Sequence, residues 1–159
     1  MVARQVQLTV ERPHERVVLI RVNGALDRDA AAAVLRLVDA QAELVRHGRR
    51  ATIAVLVDLD GVSTFDAAAF RDLRHARSRA RRAGFGLCLT GCGGRVHLLP
   101  FAVQQALTEY HTFPTAEAAV AAHTPGRRTA AASHQPAVAF PEPRTPVEPV
   151  PAAGQTVPV

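Results

Sequence analysis

One strand–turn–helix unit, residues 51–84, constrains the fold of this chain more than any other stretch. Residues 51–59 read ATIAVLVDL, an almost unbroken apolar run rich in β-branched side chains. Such a run is typical of a strand that is covered on both faces, as in a sheet packed between helices. After a turn over 60–66, a helical pattern runs over 67–83 and ends at Gly84, a residue that tolerates positive φ.

The helix over 67–83 has a recognisable start and an inner face. Asp66 is predicted to be its N-cap, because a carboxylate can accept hydrogen bonds from the free N–H groups of the first turn. Small apolar residues recur at three- and four-residue steps and predict one buried face. These residues are Ala69, Leu73, Ala76, Ala80 and Ala83. The unit therefore brings the end of a buried strand to the start of a capped helix.

The rest of the chain predicts further strands and helices on both sides of this unit. Strands are predicted over 4–10, 16–22 and 84–90, with a short last segment over 110–113. Helices are predicted over 28–47, 95–107 and 114–123. Pro100 is expected to kink the second of these helices or to delay its start, since proline lacks an N–H. The order predicts an α/β fold: a mixed, mostly parallel sheet of four to five strands, with the first strand at its antiparallel edge, and about four helices.

Composition changes sharply near residue 124. The segment 124–159 holds eight of the eleven prolines and few large apolar side chains. Such a segment buries too little surface to offset the entropy lost on ordering, so it is expected to be a disordered tail. One folded domain is therefore predicted over 3–123.

The net charge of +5 raises the question of nucleic-acid binding. All nineteen basic residues are arginine, which together with heavy alanine and valine usage indicates GC-rich codons rather than a selected basic surface. Charges of both signs are interspersed along 1–123 and aromatic residues are sparse, so nucleic-acid binding is not expected. No apolar stretch approaches the roughly 20 residues of a membrane helix, and the first residues lack a secretory signal core. The sequence thus predicts a cytoplasmic protein without membrane insertion.

The sequence shows no set of side chains arranged for catalysis, so the protein is not expected to be an enzyme. Cys88, Cys92 and His97 form a C-x₃-C-x₄-H pattern that lacks a fourth ligand, so no metal is expected. A cofactor is not expected either. The glycine-rich loop over 91–95 leaves one alternative open, which is phosphate binding by backbone N–H groups, although no lysine accompanies it.

Several stretches, in their order and spacing, resemble a STAS domain, the fold of bacterial anti-sigma factor antagonists and of sulfate-transporter cytoplasmic tails. They are residues 22–27, 57–66, 85–89 and the closing segment 113–119, so the likeness covers most of 3–122. The resemblance implies a STAS-like α/β fold. It also implies a regulatory protein-interaction module whose partner is an anti-sigma factor or a serine kinase of the ATP-binding GHKL type.

Three positions depart from the family pattern: Ala67, Ala69 in place of the glycine that follows the hydroxyl residues, and Ala106 in place of the glycine of a Gly-Leu pair. By the resemblance, the loop after the central strand ends in Asp-Ser-Ser/Thr-Gly, and the first hydroxyl residue accepts a phosphate. Here the matching residues read DAAA from Asp66, so the acceptor position falls on Ala67, which has no hydroxyl. Phosphorylation at the usual position is therefore not expected. Ser63 and Thr64 are nearby and are expected to bond local backbone, with a relocated phosphosite as the alternative.

The predicted contact surface lies at the start of the helix over 67–83. It comprises Ser63, Thr64, Asp66, Ala67, Ala68 and Arg71, with Arg74 at its edge. We name these residues the docking corner. Two other functions are kept as alternatives: a small-molecule or nucleotide sensor that uses the 91–95 loop, and an accessory subunit of a membrane transport complex, as some STAS-like proteins are.

Overall fold

The computed structural model describes residues 6–124, which form six strands and four α-helices. The strands are β1 Gln7–His14, β2 Val17–Leu26, β3 Ala54–Asp58, β4 Val62–Phe65, β5 Gly86–Thr90 and β6 His111–Phe113. The helices are α1 Arg28–Arg46, α2 Ala67–Ala83, α3 Phe101–Leu107 and α4 Ala116–His123, and a short 3-10 helix, Val96–Leu98, precedes α3. The predicted tail after Thr124 and residues 3–5 of the predicted domain lie outside the described residues.

The sheet is mixed and mostly parallel, with strand order β1-β2-β3-β5-β6. Strand β1 lies at the edge and runs antiparallel to β2, whereas β2, β3, β5 and β6 run parallel to one another. Connections between parallel strands pass through helices, as crossover geometry requires. The predicted α/β class, the antiparallel edge and the four helices are therefore confirmed.

Strand β3 is buried along its whole length because both faces of the sheet are covered. Val55 and Val57 belong to the core formed with α1 and α2. Leu56, one residue out of phase, packs with Ala116 and Ala119 of α4 on the opposite face. The unbroken apolar run in the sequence reflects this two-sided burial.

Several predicted strands differ from the observed ones. Strand β1 runs to His14 instead of residue 10, and β2 runs to Leu26 instead of residue 22. Residues 60–66 are predicted as a turn, whereas Val62–Phe65 forms β4 and pairs in parallel with the end of β2. Four residues are too few to show a periodic pattern, and the preceding glycine indicates a turn. The strand predicted over 51–59 is also shorter, because residues 51–53 and Leu59 lie outside β3.

Pro100 divides the predicted helix over 95–107 into two pieces. The 3-10 helix ends at Leu98, and α3 begins at Phe101 with Pro100 in the N-cap position. The residue before a proline is disfavoured in the helical region, and Leu99 accordingly has extended backbone angles. The predicted delay of the helix start is thus confirmed.

Tyr110 connects the segment after α3 to helix α2 through a hydrogen bond and an aromatic contact. Its hydroxyl donates a hydrogen bond of 2.8 Å to the carbonyl oxygen of Phe70, and the two rings meet edge to face with centroids 6.4 Å apart. Burial raises the pKa of Tyr110 to about 12, with Glu109 acting in the same direction and Arg74 and Arg77 opposing it.

Tyr110 should ionise near pH 12 in the folded protein and near pH 10 in the unfolded chain. The folded state holds the phenol proton more tightly than the unfolded chain does. The protonated hydroxyl therefore contributes to the free energy of unfolding fully below about pH 10, and this contribution is lost as the pH rises toward 12. The chain has one tyrosine, no tryptophan and no lysine, so phenolate absorbance reports this ring alone. In urea unfolding, the free energy of unfolding of Tyr110→Phe should fall less between pH 10 and pH 12 than that of the native domain. A native midpoint near pH 10 would contradict the burial of the hydroxyl.

Candidate protein-docking site

The docking corner lies where strand β4 leads directly into helix α2. Asp66 has extended backbone angles, φ −102° and ψ 124°, and its side chain accepts a hydrogen bond of 2.8 Å from the N–H of Ala68. The predicted N-cap is therefore confirmed. The N–H of Asp66 donates to the carbonyl oxygen of Leu26 at 3.0 Å, so the start of α2 is tied to the end of β2.

The members of the docking corner differ in exposure. Those exposed to solvent are Ser63, Thr64, Asp66, Arg71 and Arg74, and Ala67 is half-buried. Ala68 is only 9% exposed, so its methyl group adds little to the surface. The domain therefore leaves the corner open around Ala67, and six of the seven residues present side-chain surface there.

Ser63 is held by the sheet rather than by the helix. Its hydroxyl donates a hydrogen bond of 3.2 Å to the carbonyl oxygen of Gly24 in β2, which fits the expectation that it bonds backbone. Thr64 is exposed on the same strand. Both residues precede the N-cap, so neither takes the place of Ala67 in the first helical turn.

Arg95 braces the turn between β3 and β4, a contact that the sequence does not reveal. Its guanidinium donates hydrogen bonds to the carbonyl oxygens of Val62 at 2.7 Å, of Asp60 at 3.1 Å, and of Leu59. The same group lies 5.2 Å from the ring centroid of Phe65. Because the acceptors are backbone oxygens, no residue type in the turn signals the contact. Arg95 thus links the glycine-rich loop to the strand that leads into the docking corner.

The glycine-rich loop packs against the chain itself. Gly91 has φ 83°, and a Cβ built there would lie 2.6 Å from both Oδ1 of Asp58 and the backbone N of Asp60. On the other side of the loop, a groove of about 340 Å³ is lined by Cys92, Phe113 and other residues, none of them charged. A groove without a charged side chain fits a phosphate poorly. This geometry does not favour the nucleotide-sensor alternative.

Asp58, the most deeply buried carboxylate near the corner, makes all its bonds inside the fold. It accepts hydrogen bonds from Arg21 at 2.8 Å, from the hydroxyl of Thr90 at 3.1 Å and from the N–H of Asp60 at 3.2 Å. Among residues 6–124, no three His, Cys, Asp or Glu side chains are grouped to hold a metal ion. Asp58 therefore joins the carboxyl ends of β3 and β5 to the middle of β2 and serves the fold.

The family profile for the STAS domain matches residues 9–119. This chain belongs to the STAS domain family. Solved structures with this fold include the anti-sigma factor antagonist SpoIIAA in its unphosphorylated form, at 15% identity and TM-score 0.50, covering 72% of this chain and 93% of that chain. An anti-sigma factor antagonist from Mycobacterium paratuberculosis is 22% identical with TM-score 0.51, covering 75% and 94%.

SLC26A9 also contains a region of similar fold. It matches with 16% identity and TM-score 0.50, covering 67% of this chain and 19% of that chain. Among curated proteins, none matches this sequence. No helix in the described part of the chain is long and apolar enough to cross a membrane. At these identities the structural likeness shows the fold alone.

Two large apolar side chains in the segment that follows Arg95 in this STAS domain are unusually exposed. Leu98 is 74% exposed and Phe101 is 79% exposed. They follow Arg95 closely in the chain, and α3 packs on α2. We name this pair the apolar rim. Val103 and Leu107 are four residues apart and are both buried, whereas Phe101 does not share their helical spacing. This spacing is the signal in the sequence that could have predicted the exposure of Phe101.

Charge at the other border of the docking corner is partly paired. Arg74 forms an ion pair of 2.7 Å with Glu109. Arg77 donates to the carbonyl oxygen of Glu109 and lies 5.6 Å from the ring centroid of Tyr110. Arg71 lies one turn nearer to Ala67 and is exposed. The corner therefore presents the exposed guanidinium of Arg71 one turn away from the methyl group of Ala67.

Proposed function

We propose that this STAS domain is a regulatory protein-interaction module that binds an anti-sigma factor or a GHKL-type serine kinase without being phosphorylated at the family's usual position. The observation that carries the proposal is the open, capped start of α2, with the methyl group of Ala67 in place of a hydroxyl. Similar solved structures include anti-sigma factor antagonists. In this proposal the domain acts by binding and not by catalysis.

The missing hydroxyl determines the kind of regulation. A phosphate in the first turn of α2 would add a charge of about −1.5 to −2. A helix N-terminus tolerates such a charge, but an apolar or acidic partner surface does not. Because Ala67 cannot accept a phosphate, the docking corner keeps one binding state. Control of the complex then depends on the amount or state of the partner.

We further propose that the apolar rim, which follows Arg95 in the chain, takes part in the same interface as the docking corner. Arg71 supplies an exposed positive charge, and Leu98 and Phe101 supply exposed apolar area. Interfaces combine a desolvated apolar centre with charge-complementary rims. We therefore expect the partner to present an apolar patch flanked by carboxylates.

Ala67→Glu should weaken binding to the purified GHKL-type kinase encoded in the same genome by at least about tenfold, because a charge buried unpaired in an interface costs roughly 2–5 kcal/mol. Folding should not suffer, since a carboxylate near a helix N-terminus is favourable. Ala40→Glu, on the exposed face of α1, is the matched control and should bind normally. Titration calorimetry gives both affinities, and an unchanged affinity for Ala67→Glu would exclude the docking corner as the contact.

The same protein pair tests the loss of the phosphoacceptor. With labelled ATP and the kinase, the native domain should stay unlabelled, whereas Ala67→Ser should take up label on the new hydroxyl. Phosphate on Ser63 or Thr64 of the native domain would overturn the proposed single-state surface, and mass spectrometry of the labelled peptide distinguishes these sites.

A further inference from the structure

The arginines of the described residues are concentrated at one end of the domain. Of fifteen arginines in residues 6–124, eight lie at the amino edge of the parallel strands: Arg12, Arg16, Arg46, Arg49, Arg50, Arg79, Arg81 and Arg82. We name them the basic end. Three carboxylates of the described residues lie there as well: Glu15, Asp39 and Glu43. Elsewhere in the same range, seven arginines are outnumbered by nine carboxylates, so the surplus of positive charge belongs to this end.

The topology brings these arginines together from three distant parts of the sequence. Helices α1 and α2 both cross over between parallel strands, so both end at the edge where β2, β3 and β5 begin. The turn between β1 and β2 lies at the same edge. Arg12 donates a hydrogen bond of 2.8 Å to Gln41 of α1, and Arg46, Arg79 and Arg82 border one cleft of about 360 Å³.

Nearby carboxylates neutralise only part of this charge. Arg46 pairs with Glu43 at 2.5 Å and Arg79 pairs with Asp39 at 2.6 Å. The exposed arginines of the basic end with no carboxylate of residues 6–124 within 4.0 Å are Arg12, which bonds Gln41 instead, and Arg49, Arg50, Arg81 and Arg82. Burial, and then the like charge of Arg50, lower the pKa of Arg12. A codon preference explains why these residues are arginine rather than lysine, but it does not explain their common location.

The shape of the basic end distinguishes between two polyanions. It consists of helix carboxyl ends, strand beginnings and a tight turn, so it has no projecting helix or long ribbon to enter a nucleic-acid groove. The phenylalanine at this end, Phe85, is 4% exposed, so its ring cannot stack on a base. An anionic bilayer requires neither feature, because a one-sided cluster of four to eight basic residues is enough.

We propose that the basic end binds the surface of an anionic phospholipid bilayer. Guanidinium groups donate paired hydrogen bonds to lipid phosphates, and the arginine stems lie along the interface. The docking corner lies at the opposite, carboxyl edge of the sheet, so a domain bound in this way turns the corner away from the membrane toward a partner. The association is peripheral and electrostatic, and it does not depend on the proposed partner.

Cosedimentation of the full chain with vesicles tests this proposal. Vesicles of phosphatidylcholine with about one-third phosphatidylglycerol should bind the protein, those of phosphatidylcholine alone should not, and added salt should weaken the binding. Each basic residue contributes about fivefold to such binding, so Arg49→Gln/Arg50→Gln should bind about 25-fold more weakly. Arg28→Gln/Arg36→Gln removes the same charge from exposed positions earlier in α1 and should change binding by less than about threefold.

A second variant is needed because substitutions at Arg49 and Arg50 could act by disturbing the loop after α1. Arg81→Gln/Arg82→Gln, at the end of α2, should show the same loss as the change at Arg49 and Arg50. Equal losses in these variants and in Arg28→Gln/Arg36→Gln would assign the effect to net charge and overturn the proposal. So would absence of binding to anionic vesicles, or tighter binding to a short DNA duplex than to the vesicles at the same salt concentration.

Discussion

Phe70→Ala is expected to lower the free energy of unfolding by about 3–5 kcal/mol, the usual range for deleting a buried phenyl ring. Phe70 is 1% exposed, its ring stacks on Phe65 with centroids 6.3 Å apart, and it meets Tyr110 edge to face. The cavity left by the ring cannot collapse easily, because β4 on one side and the segment after α3 on the other depend on the same contacts. Urea unfolding of the native domain and the variant gives the difference directly.

Phe101→Ala is the matched control for this experiment. Phe101 is also a phenylalanine on a helix, but it is 79% exposed, so its removal should change the free energy of unfolding by less than about 0.5 kcal/mol. If the two substitutions had similar effects, the assignment of Phe70 to the core and of Phe101 to the surface would be wrong. Phe70→Ala should also speed amide exchange around Asp66, since Phe65 immediately precedes that N-cap.

The sequence predicts well those elements whose burial is uniform along the element or whose ends are marked by capping residues. Strand β3 is covered on both faces, so every residue in it is apolar until Asp58, and the pattern is unambiguous. The ends of helix α2 can be predicted from single residues. The side chain of Asp66 accepts a hydrogen bond from the N–H of Ala68 in the first turn, and Gly84 ends the helix with φ 91°. Local rules and tertiary packing agree in this part of the chain.

The contacts that the sequence misses join backbone atoms or distant segments. Arg95 bonds carbonyl oxygens, which every residue possesses, so only the fold shows that it braces the turn before the docking corner. Strand β4 exists because the end of β2 offers it a partner, a tertiary contact that four residues cannot signal. The sequence places Ala68 in the predicted docking corner, but in the fold its methyl group is buried on the inner face of α2.

The distribution of charge shows the same limit. Along the sequence, charges of both signs are interspersed through residues 1–123, so a concentrated basic surface is not expected. In the fold, the carboxyl ends of α1 and α2 and the turn after β1 meet at one edge, so residues as far apart as Arg12, Arg50 and Arg82 share one end of the domain. Spacing in sequence therefore gives a poor measure of electrostatic surface in an α/β fold, because parallel crossovers place all helix ends of one kind on the same side.

Gly91→Ala should lower the free energy of unfolding by roughly 2–5 kcal/mol. Alanine at a φ of 83° costs about 1–2 kcal/mol, and forcing a methyl group into a filled site costs about 1–3 kcal/mol more. The obstacles are an oxygen of Asp58 and the backbone of Asp60, all within 2.9 Å of the new Cβ, and backbone cannot move aside as a flexible side chain can.

Gly94→Ala, three residues later in the same loop, provides the comparison. No atom lies within 4 Å of a Cβ built there and its φ is not positive, so its effect on stability should stay within about 0.5 kcal/mol. Equal unfolding midpoints in urea for the two variants would show that the loop does not press against the β3–β4 turn. With the expected difference, Gly91 and Arg95 act together: the glycine lets the loop approach closely enough for the guanidinium to reach the carbonyl oxygens that precede the docking corner.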